Sequence, residues 1–252
     1  MKKIYSFITY IYNYFFSIIE NLLYKKVIHN NNFTEKGYFK FNDLRIVNYK
    51  FENSYQTIVN QYYKKIILSQ KELENLISSI FVSNNLHKKI SDITGFNYSI
   101  DFFTAYETSS IAAEDLNKGW YANHPHKDKP YSQNTIKLII PLQDVSELDG
   151  PMKILNKTKS KNFNLSCNLI NEFENVTFKI GEAFLFNPNI CYHYASNPSN
   201  GRARKQMMFQ LNPSKEWSIN QKIFDYQNIR EPKFPFFSYL FNSKKPLDLL
   251  IL

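Results

Sequence analysis

Cysteine is scarce in this chain: Cys167 and Cys191 are the two in 252 residues. That excludes a disulfide framework and points to a reducing compartment, the cytoplasm. Long apolar runs are missing too. The most apolar stretch, Ile4 to Ile19, is interrupted by Ser6, Thr9, Asn13 and Ser17, so it falls short of the roughly 20 apolar residues that a membrane-spanning helix needs. No small-residue cleavage site follows it, which argues against a secretory signal. No internal repeat is evident. Lys and Arg outnumber Asp and Glu 31 to 22, giving a net charge of +9, yet the basic residues are scattered. No nucleic-acid module is recognisable, so the basic surface reads as solvated, with a pull toward anionic lipid or anionic metabolites rather than nucleic acid.

What is present can hold one large domain: 43% of the residues are hydrophobic. Residues 1–28 read as an N-terminal amphipathic helix whose polar residues recur every three to four positions. Two destinations are open to it: docking on the domain's own sheet, or lying at the periphery of a membrane through residues 1–26. Residues 29–252 read as a single domain. Tyr38 to Tyr49 is expected to be extended and Tyr55 to Phe81 helical, with Ser69-Gln-Lys-Glu72 forming a capping box ahead of Leu73, Leu76, Ile77 and Ile80. A short helix from Asn84 to Thr94, stopped by Gly95, completes a helical layer over about 53–95. Strands are expected at Ser99 to Thr108, Thr135 to Leu142, Met152 to Leu155, Phe178 to Phe186, Ile190 to Ala195 and Lys205 to Leu211. Thr108 to Tyr121 reads as a loop over the mouth of the barrel. Helices first and antiparallel strands after give an α+β chain with an all-β jelly-roll core over about 98–212, covered on one sheet by helices.

The residues that carry chemistry lie in Asn123-His-Pro-His126-Lys-Asp128 and, about 65 residues on, in Cys191-Tyr-His193. On a strand, residues two apart share a face, so His126 and Asp128 can offer an imidazole and a carboxylate to one ion. A second imidazole completes a set that leaves coordination positions open, as a non-haem Fe(II) oxygenase requires. His124 also lies two residues before His126 and can share its face. A hairpin with its turn between Pro198 and Ser199 is expected to set Arg204 across from His193. Arg204, with Arg202 in reserve on the same face, would then grip a distal carboxylate such as that of 2-oxoglutarate. Tyr106, Tyr131 and Lys137 are candidates for lining the pocket, Lys137 facing either solvent or a carboxylate.

Four segments from Tyr121 to Leu211 together resemble the phytanoyl-CoA dioxygenase family of Fe(II)/2-oxoglutarate oxygenases. They are Pro125-His-Lys-Asp128; the strand Ile136 to Leu142 with Gln143-Asp-Val; Asp149-Gly-Pro-Met-Lys-Ile154; and Gly181-Glu-Ala-Phe-Leu-Phe186 leading to His193 and Arg204. The resemblance implies a double-stranded β-helix, cupin-like, with iron at His126, Asp128 and His193 and 2-oxoglutarate on Arg204. It further implies hydroxylation of a small or lipid- or glycan-linked metabolite with O2, releasing succinate and CO2. Where the family continues with Pro-Gly-Ser-His, this chain has Leu155-Asn-Lys-Thr-Lys159, so substrate contacts are not carried through that loop. Asp128 argues against a halogenase, whose carboxylate is replaced. The alternatives are a non-oxidative cupin-like metal-binding or scaffold protein, and zinc-dependent hydrolysis at the same triad.

Overall fold

The computed structural model describes residues 2–45, 55–60, 62–118, 123–128, 132–163, 169–221, 223 and 244–247. In chain order the elements are α1 (Lys2–Leu23), α2 (Asn32–Lys36), β1 (Tyr38–Phe41), β2 (Tyr55–Asn60), β3 (Tyr63–Ile67), α3 (Gln70–Ile77), α4 (Leu86–Thr94), β4 (Asn97–Ser109), β5 (Ile136–Pro141), β6 (Met152–Ile154), α5 (Lys157–Asn162), β7 (Glu174–Val176), β8 (Ala183–Phe186), β9 (His193–Ala195), β10 (Ala203–Ser214), β11 (Ser218–Asn220) and β12 (Lys244–Pro246).

Two sheets face each other. The larger runs β1-β8-β5-β10-β4-β11-β12, with the β2–β3 hairpin attached to β4; the smaller runs β7-β6-β9. An isolated antiparallel bridge from His126 to His193 extends the smaller sheet beyond β9. Along the chain the core strands alternate: β4 in the larger sheet, the His126 segment in the smaller, β5 back in the larger, then β6 and β7, β8, β9 and β10. That winding is a double-stranded β-helix.

Burial on both faces explains why β5 reads as an almost unbroken apolar run. Leu138 and Ile140 join the core beneath the helices, whereas Ile139 points between the sheets with Phe184, Phe186, Met152, Ile154 and Val176. Over the outer face of the larger sheet, α3 and α4 contribute Leu73, Leu76, Ile77, Leu86 and Ile90, all fully buried. The capping box at the start of α3 is formed: the Glu72 backbone N–H donates to Ser69 Oγ at 3.3 Å, and the Ser69 N–H donates to Glu72 Oε2 at 2.7 Å. Past Ile77 the helix widens into a π-helical turn, Ser78–Ser83, which carries Ile80 and Phe81 into the same core.

The structure departs from sequence expectation at several places. The helical layer starts at Gln70 rather than near residue 53, because Tyr55–Asn60 and Tyr63–Ile67 form a hairpin that pairs with β4. β-Branched residues at Thr57, Ile58, Val59, Ile66 and Ile67 favour strand there, and an open edge of β4 receives it. The extended segment after Gly37 is a strand over Tyr38–Phe41 alone; residues 46–49 lie outside the described residues. The strand expected over Phe178 to Phe186 is split: Phe178 bridges to Val145, a turn at Gly181 (φ +93°) follows, and β8 begins at Ala183. The loop after Thr108 holds a 3-10 helix, Ala113–Lys118, and 119–121 lie outside the described residues. β9 and β10 do not pair. The first lies in the smaller sheet against β6 and the second in the larger between β4 and β5. The seven-residue link between Ala195 and Ala203 is therefore a crossing between sheets, and Arg204 stands opposite Thr108, not His193.

α1 is a helix as expected, but its docking side is its polar one. Asn13, Ser17 and Glu20 are buried, whereas Tyr14, Phe15 and Ile18 between them are exposed.

Candidate metal centre

His126 and His193 are tied together through their backbones. The His126 N–H donates to the His193 carbonyl at 3.1 Å, and the His193 N–H donates to the His126 carbonyl at 3.0 Å. This closely bonded antiparallel pair brings the rings side by side, with centroids 4.4 Å apart. Asp128, two residues on, projects to the same side, and its N–H is anchored to the Pro188 carbonyl at 2.9 Å. One donor atom from each of the three side chains lies within 4.8 Å of the other two. The centre of a triangle of that size is about 2–3 Å from each corner, within reach of metal–nitrogen and metal–oxygen bonds.

Both imidazoles present the same nitrogen. His126 Nδ1 lies 2.8 Å from the His124 carbonyl and His193 Nδ1 lies 3.1 Å from the Cys191 carbonyl. A carbonyl accepts but does not donate, so each contact holds a proton on Nδ1 and leaves the Nε2 lone pair free to ligate. Those Nε2 atoms face Asp128 Oδ1 at 3.5 and 3.8 Å. His124, which shared the candidacy from spacing, is exposed and contributes its backbone carbonyl to this arrangement.

The charge states suit a divalent cation. Burial pushes the His193 imidazole down to about 4, against the pull of Asp128, so it is neutral at physiological pH. Burial acts to raise the Asp128 carboxyl, but Lys137, His126 and His193 outweigh it and hold the group well below the usual carboxylate range. The hydrogen bond to Asp128 raises His126, partly offset by burial. Phe186 of β8 packs edge-on against His193, with centroids 4.9 Å apart, forming an apolar wall on one side.

The remaining sequence candidates fall into separate places. Lys137 does not face solvent: its side chain is 13% exposed and its ammonium is bound to Asp128 Oδ2. Lys137 stands opposite Gln210 and Phe186 on the inward face of the larger sheet, the face that also carries Ile139 and Phe184. Arg204 is buried on β10, in register with Thr108 of β4. Next along β10, Gln206 donates to the Tyr106 hydroxyl at 2.5 Å, and the Tyr106 ring packs at a tilt against Tyr63. Arg202 has a side chain 54% exposed and pairs with Asp149 at 3.6 Å. Tyr131 lies outside the described residues.

Two residues that the sequence reading passed over join the Arg204 neighbourhood. Thr108 Oγ1 and Gln206 Oε1 are buried without a hydrogen-bond partner among the described residues. The signal for Gln206 was available: Arg204, Gln206, Met208 and Gln210 alternate with Lys205, Met207, Phe209 and Leu211, which marks one polar, inward face of a strand. Thr108 carried none, since its role depends on which strand pairs with β10.

No protein-family model matches the chain, and no curated protein matches its sequence. Solved structures do share its fold. One is the non-heme alpha-ketoglutarate-dependent epimerase SnoN from nogalamycin biosynthesis, at 12% identity and TM-score 0.52, covering 72% of this chain and 78% of SnoN. SnoN has also been solved in complex with Fe3+, alpha-ketoglutarate and nogalamycin RO. Another is HygX from Streptomyces hygroscopicus with nickel, 2-oxoglutarate and hygromycin B bound, at 14% identity and TM-score 0.50, covering 73% of this chain and 86% of HygX.

Proposed function

We propose that this chain is an Fe(II)- and 2-oxoglutarate-dependent oxygenase that hydroxylates a small or lipid- or glycan-linked metabolite. The observation that carries the reading is the His126, Asp128 and His193 cluster, with both Nε2 atoms turned toward one carboxylate oxygen. Two imidazole nitrogens and one carboxylate fit ferrous iron and leave positions for further ligands, whereas a structural zinc site would be closed by four protein donors. Bound iron with 2-oxoglutarate and O2 supplies the oxidising chemistry, releasing succinate and CO2.

The chain's own residues do the binding and orienting. The carbonyls of His124 and Cys191 fix both imidazole tautomers. Arg204 and the Thr108 hydroxyl, opposite one another on neighbouring strands, are donors suited to the far carboxylate of 2-oxoglutarate, and the partnerless Thr108 Oγ1 supports that assignment. Tyr106 and Gln206 line the same inner face one step further on. Phe186 shields the His193 side from water. The ligands seen in SnoN and HygX are consistent with an anionic cosubstrate and a small-molecule substrate here.

The test is succinate formation from 2-oxoglutarate by anaerobically iron-loaded protein after oxygen is admitted. Asp128→Ala should abolish turnover. Arg204→Ala should raise the KM for 2-oxoglutarate about 100-fold, the loss expected for two charge-assisted hydrogen bonds. Tight iron binding with no succinate from wild type under any cosubstrate concentration would favour the non-oxidative binding protein.

A further inference from the structure

We propose that α1 is an interfacial anchor that lays its outward face into an anionic lipid surface. This rests on the helix and not on the metal-site reading. The usual surface helix turns its apolar stripe to the core and its polar side to water. α1 does the reverse. Asn13, Ser17 and Glu20 are buried, and Ser17 and Glu20 bond to Ser132–Asn134, just ahead of β5. The Gln133 N–H donates to Ser17 Oγ at 2.8 Å, and the Glu20 carboxylate accepts from the Ser132 hydroxyl and from Asn134 Nδ2, the latter at 3.1 Å. These polar contacts fix which side of the helix faces away.

That side is apolar. Ile11, Phe15, Ile18 and Leu22 are 50%, 57%, 42% and 79% exposed, and their spacing of four, three and four residues sets them on one line along the helix. Tyr12, Tyr14 and Leu23 flank the line and are exposed as well. Aromatic rings of this kind concentrate at the membrane–water boundary. No described helix is long and apolar enough to cross a membrane, so α1 would lie in the surface rather than span it.

Charge identifies the occupant. Lys2 and Lys3 open the helix, and Lys25 and Lys26, both exposed, follow it. Glu20 is the one carboxylate among residues 1–34, and the docking contacts turn it inward. From Ile11 to Leu23 the outward face is therefore apolar, and the helix is flanked in sequence by Lys pairs, which matches lipid acyl chains beneath anionic headgroups. A second copy fits less well, because pairing two such helices in either direction brings Lys against Lys.

The experiment is co-sedimentation of the full chain with vesicles of phosphatidylcholine, or of phosphatidylcholine containing about one-third phosphatidylserine. Wild type should bind the anionic vesicles at least about tenfold more tightly, each Lys near the surface contributing about fivefold. Ile18→Glu with Leu22→Glu should reduce that binding more than about tenfold. Its melting temperature should be unchanged, since both side chains are solvent-facing. Lys25→Glu with Lys26→Glu should erase the preference for the anionic vesicles. No sedimentation of wild type with either vesicle, or equal binding by the Ile18→Glu, Leu22→Glu protein, would overturn the proposal. A dimer in sedimentation equilibrium that the same variant dissolves, without vesicle binding, would assign the face to a second copy.

Discussion

At the scale of single residues, Lys137 is where two effects compete. Its ammonium holds Asp128 Oδ2 while Oδ1 faces the two imidazoles. A charged hydrogen bond of this kind contributes about 1.5–3 kcal/mol. Repulsion between this ammonium and a divalent ion sharing the same carboxylate would amount to several kcal/mol, on the order of 5, at an effective dielectric constant of about 20. Repulsion wins, so Lys137→Met should tighten divalent-metal binding about tenfold or more, measured by anaerobic calorimetry; weaker binding would show instead that Lys137 orients the carboxylate. Cys191, in contrast, is chemically quiet. Burial pushes its thiol up to about 12, and it packs so closely under Gly37 that a Cβ there would meet its sulfur at 2.6 Å. Gly37 also holds φ +82°, the left-handed region that an added side chain disfavours.

Elements differ in how far they can be read without the fold. The α3 start is local chemistry, a reciprocal Ser69–Glu72 cap, and Ser69→Ala should cost about 1 kcal/mol in urea unfolding. The next boundary back is not local. Residues 55–67 are ambiguous by periodicity, and the edge of β4 decides for strand. The same holds at the site. His126 and Asp128 were legible because spacing by two on a strand is a local rule, His193 was supplied by the family resemblance, and the structure brings the three together. The neighbour of Arg204 was not, since Pro198 and Ser199 resemble a hairpin turn although the chain there changes sheets. The direction in which α1 docks was hidden for a related reason: the partners of its polar stripe, Ser132 to Asn134, lie more than 100 residues away.

For the whole molecule, the triad couples ligand binding to folding. The three candidate ligands come from two chain segments joined by the His126–His193 pair, so a cation held by them would stabilise the entire β-helix. Nickel or manganese at about 100 times its dissociation constant should contribute about 2.7 kcal/mol and raise the melting temperature by roughly 5–10 °C, and Asp128→Ala should abolish the shift. The strand order carries a further consequence. β10 lies between β4 and β5, yet it is the last of the eight core segments to leave the ribosome. Until it emerges, the strands on either side of its place have open edges facing one another, which is the condition under which nascent chains recruit chaperones or aggregate. Synthesis of this protein therefore ends its vulnerable period only when its central strand has been made, and the His126–His193 pair, already translated, waits for that closure.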